Sequence, residues 1–347
     1  MQTSYPPSLT RRPRRRRHLV ALAGSAAAAL ALTACVAGEG GDRAPSPASA
    51  SPSPVPRGLL TKKEATAVVD AYEQANNRAN RRQDPKLLGT VESGQVHEQS
   101  KADYEQWETQ SEKEQKHYES AFFYRDREYL IPAAGSGASW FAVKAHSSAD
   151  PKGKSALVVF DKVGSTYKVT MTVYADEPIP KVAVDEHGYV SPVAPSQKVG
   201  NLAPDQLGTS YEDFFVTGGK KSEKIFAKTD SSKSSTKVHT DGVDKDLKGY
   251  ATRKFFGKRP AHPKVYALKL ANGGAVALFP TAHTLELVLK PRYMSGFDIT
   301  PGPRESVYNS ARRDVITDEF EGQGLAVMSP AEKPRVTGIE YRMVNSR

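Results

Sequence analysis

The sequence predicts an α+β body of two tandem units, each a helix laid on a curved antiparallel sheet. Three observations predict it. Apolar residues recur at helical spacing where each half begins. The period then changes to two. Turns bearing Gly or Pro separate the alternating runs. Ahead of the body stand a signal peptide, residues 1–34, and a disordered linker, residues 35–57. The first unit spans 58–190 and the second 200–347.

The N-terminus opens with a dense positive run, Arg11-Arg12-Pro13-Arg14-Arg15-Arg16-Arg17. Leu19-Val20-Ala21-Leu22-Ala23-Gly24 and an alanine-rich stretch to Leu32 follow, an apolar segment of signal-peptide length. It ends in Leu32-Thr33-Ala34-Cys35. These four residues resemble the lipobox of bacterial lipoproteins, a branched apolar residue, two small ones and a cysteine. The resemblance implies a diacylglyceryl group on the Cys35 sulfur and then cleavage just before Cys35, with Thr33 and Ala34 small enough to pass the cleaving enzyme. Cys35 is the only cysteine in 347 residues, so the chain can close no disulfide within itself and has no other thiol for catalysis or metal binding. Two acyl chains hold a protein stably on a membrane. No stretch after Cys35 is apolar enough to span one. The expected location is the extracytoplasmic face of the cell membrane. Arg16-Arg17-His18-Leu19-Val20 is loosely similar to a twin-arginine export signal, with Arg15 where Ser or Thr is usual.

The net charge of +10 falls to +4 once the arginines before Cys35 are set aside, because no acid precedes that residue. Such a mild excess does not call for nucleic acid. Lys220, Lys221, Lys224, Lys228, Lys233 and Lys237 crowd one segment, where weak contact with anionic lipid or wall polymer is one reading. The other is a solvated, mobile loop, since Ser231-Ser232-Lys233-Ser234-Ser235 offers no apolar anchor, and the sequence favours it. Residues 36–57 are Gly, Ala, Ser and Pro with almost no large apolar group, a semi-stiff spacer.

The body opens with a helix start. Thr61 and Glu64 make a capping box, and Ala65, Val68, Val69, Tyr72 and Ala79 fall on one face before Asp84-Pro85. Residues 98–118 have helical propensity with a thin stripe, Tyr104 and Trp107. Strands are expected at 122–130, 139–146, 155–160 and 166–174. In the second half Leu207, Tyr211, Phe214 and Phe215 share a helical face behind Pro204 and stop at Gly218-Gly219. Strands are expected at 265–270, 275–279, 285–289, 324–328 and 335–344. Leu157-Val158-Val159-Phe160 followed by Val169–Tyr174 is echoed by Leu325-Ala326-Val327-Met328 followed by Val336–Tyr341. Helix first and then antiparallel strands is an order similar to that of the NTF2-like, or cystatin-like, group. The whole chain also looks like the actinobacterial lipoproteins of unknown function, a resemblance that implies no activity.

Motifs for chemistry are sparse. His97, His117, His146, His187, His239, His262 and His283 show no H-x-x-x-H spacing, so no metal or cofactor is expected. There is no G-x-S-x-G elbow and no phosphate loop. Ser165-Thr166-Tyr167-Lys168 fits S-x-x-K but falls on a turn and strand, where its side chains would diverge. The function these absences favour is a non-enzymatic binding or interaction module at the cell surface. The alternative is a hydrolase of wall or glycan polymers, whose paired carboxylates leave no spacing rule. If a ligand binds, the open end of the first sheet is the expected pocket. There Tyr124, Tyr129, Trp140, Phe141 and Tyr174 gather apolar bodies, some with polar tips, suited to a small amphipathic molecule.

Overall fold

The computed structural model describes residues 7–12, 57–150, 153–243 and 246–347. The lipobox Leu32–Cys35 and the spacer up to Pro56 lie outside them. A short strand, β1 (Ser8–Arg11), precedes the body. The first half then runs α1 (Lys62–Asn80), α2 (Pro85–Leu88), α3 (Gly94–Glu105) and α4 (Glu112–Glu119), followed by β2 (Tyr124–Leu130), β3 (Trp140–Ser147), β4 (Ser155–Val163) and β5 (Thr166–Tyr174). The second half runs α5 (Leu207–Tyr211), α6 (Asp213–Val216), α7 (Ser222–Ile225) and α8 (Asp230–Thr240). Its strands are β6 (Ala251–Gly257), β7 (Tyr266–Lys269), β8 (Ala275–Leu289), β9 (Phe297–Thr300), β10 (Val315–Met328) and β11 (Arg335–Ser346), with α9 (Pro303–Tyr308) after β9.

The fold is α+β. Strands β2-β3-β4-β5 form one antiparallel meander. Strands β11-β10-β8-β6, with β7 also on β8, form a second antiparallel sheet, and β1 pairs with β9 alone. The alternation along β3 explains the layering. Phe141, Val143 and Ala145 point to a core shared with Ala65, Val69 and Tyr72 of α1. Trp140 and Ala142 point the other way, into a core shared with Leu268 of β7, Val276 and Leu278 of β8 and Leu325 of β10. The far face of the second sheet, through Ala277, Phe279 and Met328, receives Leu207, Tyr211, Phe214 and Phe215. The order of layers is therefore helix, sheet, sheet, helix, with each sheet buried on both faces over much of its length. The connection between the halves is stitched into the middle core by Ile179, Val182 and Val190.

Local chemistry sets the ends of the elements. Thr61 and Glu64 close the expected capping box on α1, and Ser111 with Glu114 closes another on α4. The lysine- and serine-rich segment differs from the sequence reading. It is helix α8, capped by Thr229, with Ser231, Ser232 and Ser235 buried. Serine can face a core when its hydroxyl finds a partner, and Ser235 Oγ meets the Tyr211 hydroxyl at 3.0 Å. The two strands expected around Pro280 are one, β8, because β10 pairs with it without a break from Val315↔Val288 to Met328↔Ala275. The echoed segments are both closing hairpins, β4–β5 and β10–β11. The two hairpins meet where Gly338 of β11 passes β5. A Cβ there would lie 2.5 Å from the Tyr174 carbonyl oxygen.

Candidate functional site: a polar chamber at the hairpin junction

Helix α3 packs on β5, β10 and β11 at once, and beside it lies a cavity of about 230 Å³. Four elements line it by periodicity. On α1, Tyr72, Asn76 and Asn80 fall four residues apart on one face. On α3, Val96, Gln99 and Asp103 do the same at spacings of three and four. On the strands, Thr172 and Tyr174 of β5 and Glu340 and Arg342 of β11 alternate onto the facing side. Exposed His117 and Ser120, at the end of α4, mark the mouth, while Tyr72, Asn76, Glu92 and Tyr124 are buried.

The walls are held by an amide relay. The Thr172 backbone N–H donates to Gln323 Oε1 at 2.9 Å, Gln323 Nε2 to Gln99 Oε1 at 2.7 Å, and Gln99 Nε2 to the Glu321 carbonyl at 2.9 Å. The relay ties β5, β10 and α3 together with every amide group partnered.

The charges inside are mostly acidic. Glu92 is 2% exposed; its Oε1 accepts from the Tyr72 hydroxyl at 3.1 Å, and its Oε2 has no hydrogen-bond partner. Burial pushes its pKa up to about 7, against the weaker pull of the nearby Ser100 and Tyr72 hydroxyls. Burial also raises Asp103 and Glu340. Arg342 donates to Asp103 at 3.1 Å, and Asp103 holds the Arg342 pKa up. The Arg342 guanidinium thus answers Asp103 and Glu340, Glu92 is a third carboxyl in the lining, and Tyr72, Tyr118, Tyr124 and Tyr174 stand around them. This set can bind a positive charge and stack against a flat or apolar group.

Of the five aromatic residues picked from sequence, Tyr124 and Tyr174 line this chamber. Tyr129 lies apart, in a groove beside Gly58–Lys62 and Tyr189, with Lys62 Nζ 5.9 Å from its ring centroid. Trp140 packs edge-on against Tyr266 in the core between the sheets, and Phe141 stacks on Phe160 beneath α1. Sequence reasoning missed Glu92, Gln99, Asp103, Gln323, Glu340 and Arg342. The legible signal was asparagine at the fourth and eighth positions after Tyr72, on the buried face of a helix. Among the described residues no group of three His, Cys, Asp or Glu side chains could hold a metal ion. A second recess of about 560 Å³ has Phe214 and Phe226 in its wall and Lys228, Lys233, Lys237 and Lys333 around it.

Fold and site define an α+β body of two face-to-face antiparallel sheets that closes a small acidic, tyrosine-lined chamber. The chain belongs to the family described as domain of unknown function (DUF8094), which matches residues 56–347. It is 33% identical over 297 residues to an uncharacterized lipoprotein, SCO6871, of Streptomyces coelicolor (strain ATCC BAA-471 / A3(2) / M145), covering 83% of this chain and 82% of that one. No solved structure matches. Among the described residues no helix is long and apolar enough to cross a membrane.

Proposed function

We propose that the mature protein is a membrane-held lipoprotein, anchored through Cys35 at the extracytoplasmic face, that binds a small amphipathic cation in the chamber. The observation that carries the reading is Glu92, a buried carboxyl with one oxygen unpartnered beside a cavity walled by four tyrosines. Leaving such an oxygen without a donor costs about 1–3 kcal/mol, which a ligand's N–H would recover. The lipobox and the lipoprotein relative support the anchor. The lysines around the second recess would favour anionic lipid or wall polymer on that side.

Two measurements test this. Mass spectrometry of the native protein should find a diacylglyceryl Cys35 as the first residue; an unmodified Cys35 in an uncleaved chain refutes the anchor. Trp107 packs edge-on against Tyr118 of the chamber at 5.9 Å and is a built-in reporter. Phenethylamine, benzylamine and tyramine should each change its fluorescence saturably, and benzyl alcohol should not. Glu92→Gln should weaken the cations about tenfold. If no probe binds, or the neutral alcohol binds as well as the amines, the reading is wrong.

A further inference from the structure

We infer that the outer edge of β9 is a strand-accepting site: in the mature protein an extended, arginine-bearing segment of another protein fills it, in the place that Pro7–Arg12 holds on the full-length chain. The inference rests on the cleavage before Cys35 proposed above, since that cut removes residues 7–12.

The fit of the resident strand is specific. β1 runs antiparallel to β9 with Ser8 opposite Thr300, Leu9 opposite Ile299, Thr10 opposite Asp298 and Arg11 opposite Phe297. The Arg12 N–H donates to the Gly296 carbonyl at 2.9 Å. Leu9 packs into an apolar cluster of Leu247, Leu287, Leu289, Ile299 and Ile316. Arg12 forks between two carboxylates, Nε to Asp298 at 2.8 Å and Nη2 to Asp314 at 2.5 Å. β9 is joined to the body on its other side, where Ile299 and Arg313 exchange both backbone hydrogen bonds. By the alternation of an antiparallel ladder, the main-chain groups of Asp298 and Thr300 face outward to β1.

Removing residues 7–12 therefore leaves three things together at the surface: an unpaired strand edge, an apolar slot and two carboxylates. An unpaired edge is a template for an incoming strand. Strand addition takes its affinity from main-chain hydrogen bonds and its selectivity from side-chain pockets. The slot and the acids ask for an apolar residue followed three positions later by arginine, the pattern of Leu9 and Arg12.

The test uses the mature protein extracted from membranes, its N-terminus verified by mass spectrometry. The probe is a labelled hexapeptide copying residues 7–12, Pro-Ser-Leu-Thr-Arg-Arg. The mature protein should capture it. Aspartate in place of leucine in the peptide, or Asp298→Asn with Asp314→Asn in the protein, should weaken capture about tenfold. The Cys35→Ala precursor, which keeps its own strand, should capture none. Failure of a protein that begins at Cys35 to bind the peptide overturns the inference and leaves the anchor intact. Equal capture by the precursor also overturns it. A native protein that still carries residues 7–12 overturns both readings, and the N-terminal mass separates that case from the others.

Discussion

Burial acts on Glu92 and His283 in opposite directions, and the pair sets how stability follows pH. Glu92 rises to about 7, as do Glu212 and Asp318, all chiefly through burial. A carboxyl raised in the folded state adds stability that is full below its unfolded value and lost as pH rises through about 7. Each can account for a few kcal/mol, about 3–4 at most. His283 stacks between Phe215 at 4.2 Å and Phe320 at 5.0 Å, and burial lowers it to about 3. Its stability is full above about 6.5 and lost as pH falls through about 3. Thermal unfolding from pH 4 to 9 should therefore show a maximum in the mildly acidic range and a fall toward pH 8. Glu92→Gln should flatten that fall and raise the melting temperature at pH 8. An unchanged slope would mean that Glu92 ionises freely in the folded protein. None of these residues could be read from sequence, because a lone carboxyl or histidine carries no spacing. Alternation along strands does announce which side chains share a face, and Tyr124 and Tyr174 both line the chamber.

The elements were legible where a pattern had its own grammar. Helix α1 was announced by a capping box and an apolar stripe, and β5 by strict alternation between two turns. Helix α8 was not, because its buried face is serine and no hydropathy pattern separates that from a loop. Its cap is the place to test it: Thr229 Oγ1 accepts from the Ser232 N–H, and Thr229→Ala should cost about 1 kcal/mol, read as a lower denaturation midpoint. The alternating pattern suggests separate strands at 275–279 and 285–289, yet β10 keeps register across Gln323↔Pro280 and makes them one. The hairpin junction offers a second test. Gly338→Ala puts a methyl against the Tyr174 carbonyl and Val173, so β11 must move off β5. A loss of about 1–3 kcal/mol is expected, with ligand-induced Trp107 fluorescence diminished. Full stability in that variant would show the sheets are looser than the structure describes.

On the scale of the whole molecule, the α+β class followed from period changes along the chain, but the order of layers did not. Sequence alternation shows that a strand has two apolar faces without saying which partner each meets. Trp140 looked like a pocket residue for this reason, and its face belongs to the core between the sheets. That core takes residues from both halves, so we expect one cooperative unfolding transition followed equally by Trp140 in the middle layer and Trp107 beside the chamber. Two separated transitions would show that each half holds itself up. The amide relay has one more consequence, which concerns time rather than space. Gln99 and Gln323 are 224 positions apart, and Asp103 and Arg342 are 239 apart. Contacts so distant along the chain form late, after the loops between them have closed. The chamber is therefore expected to close only after the local helices and hairpins have formed. A copy that loses β11 to a protease loses Glu340 and Arg342 with it, and under the proposed function it would no longer bind the ligand.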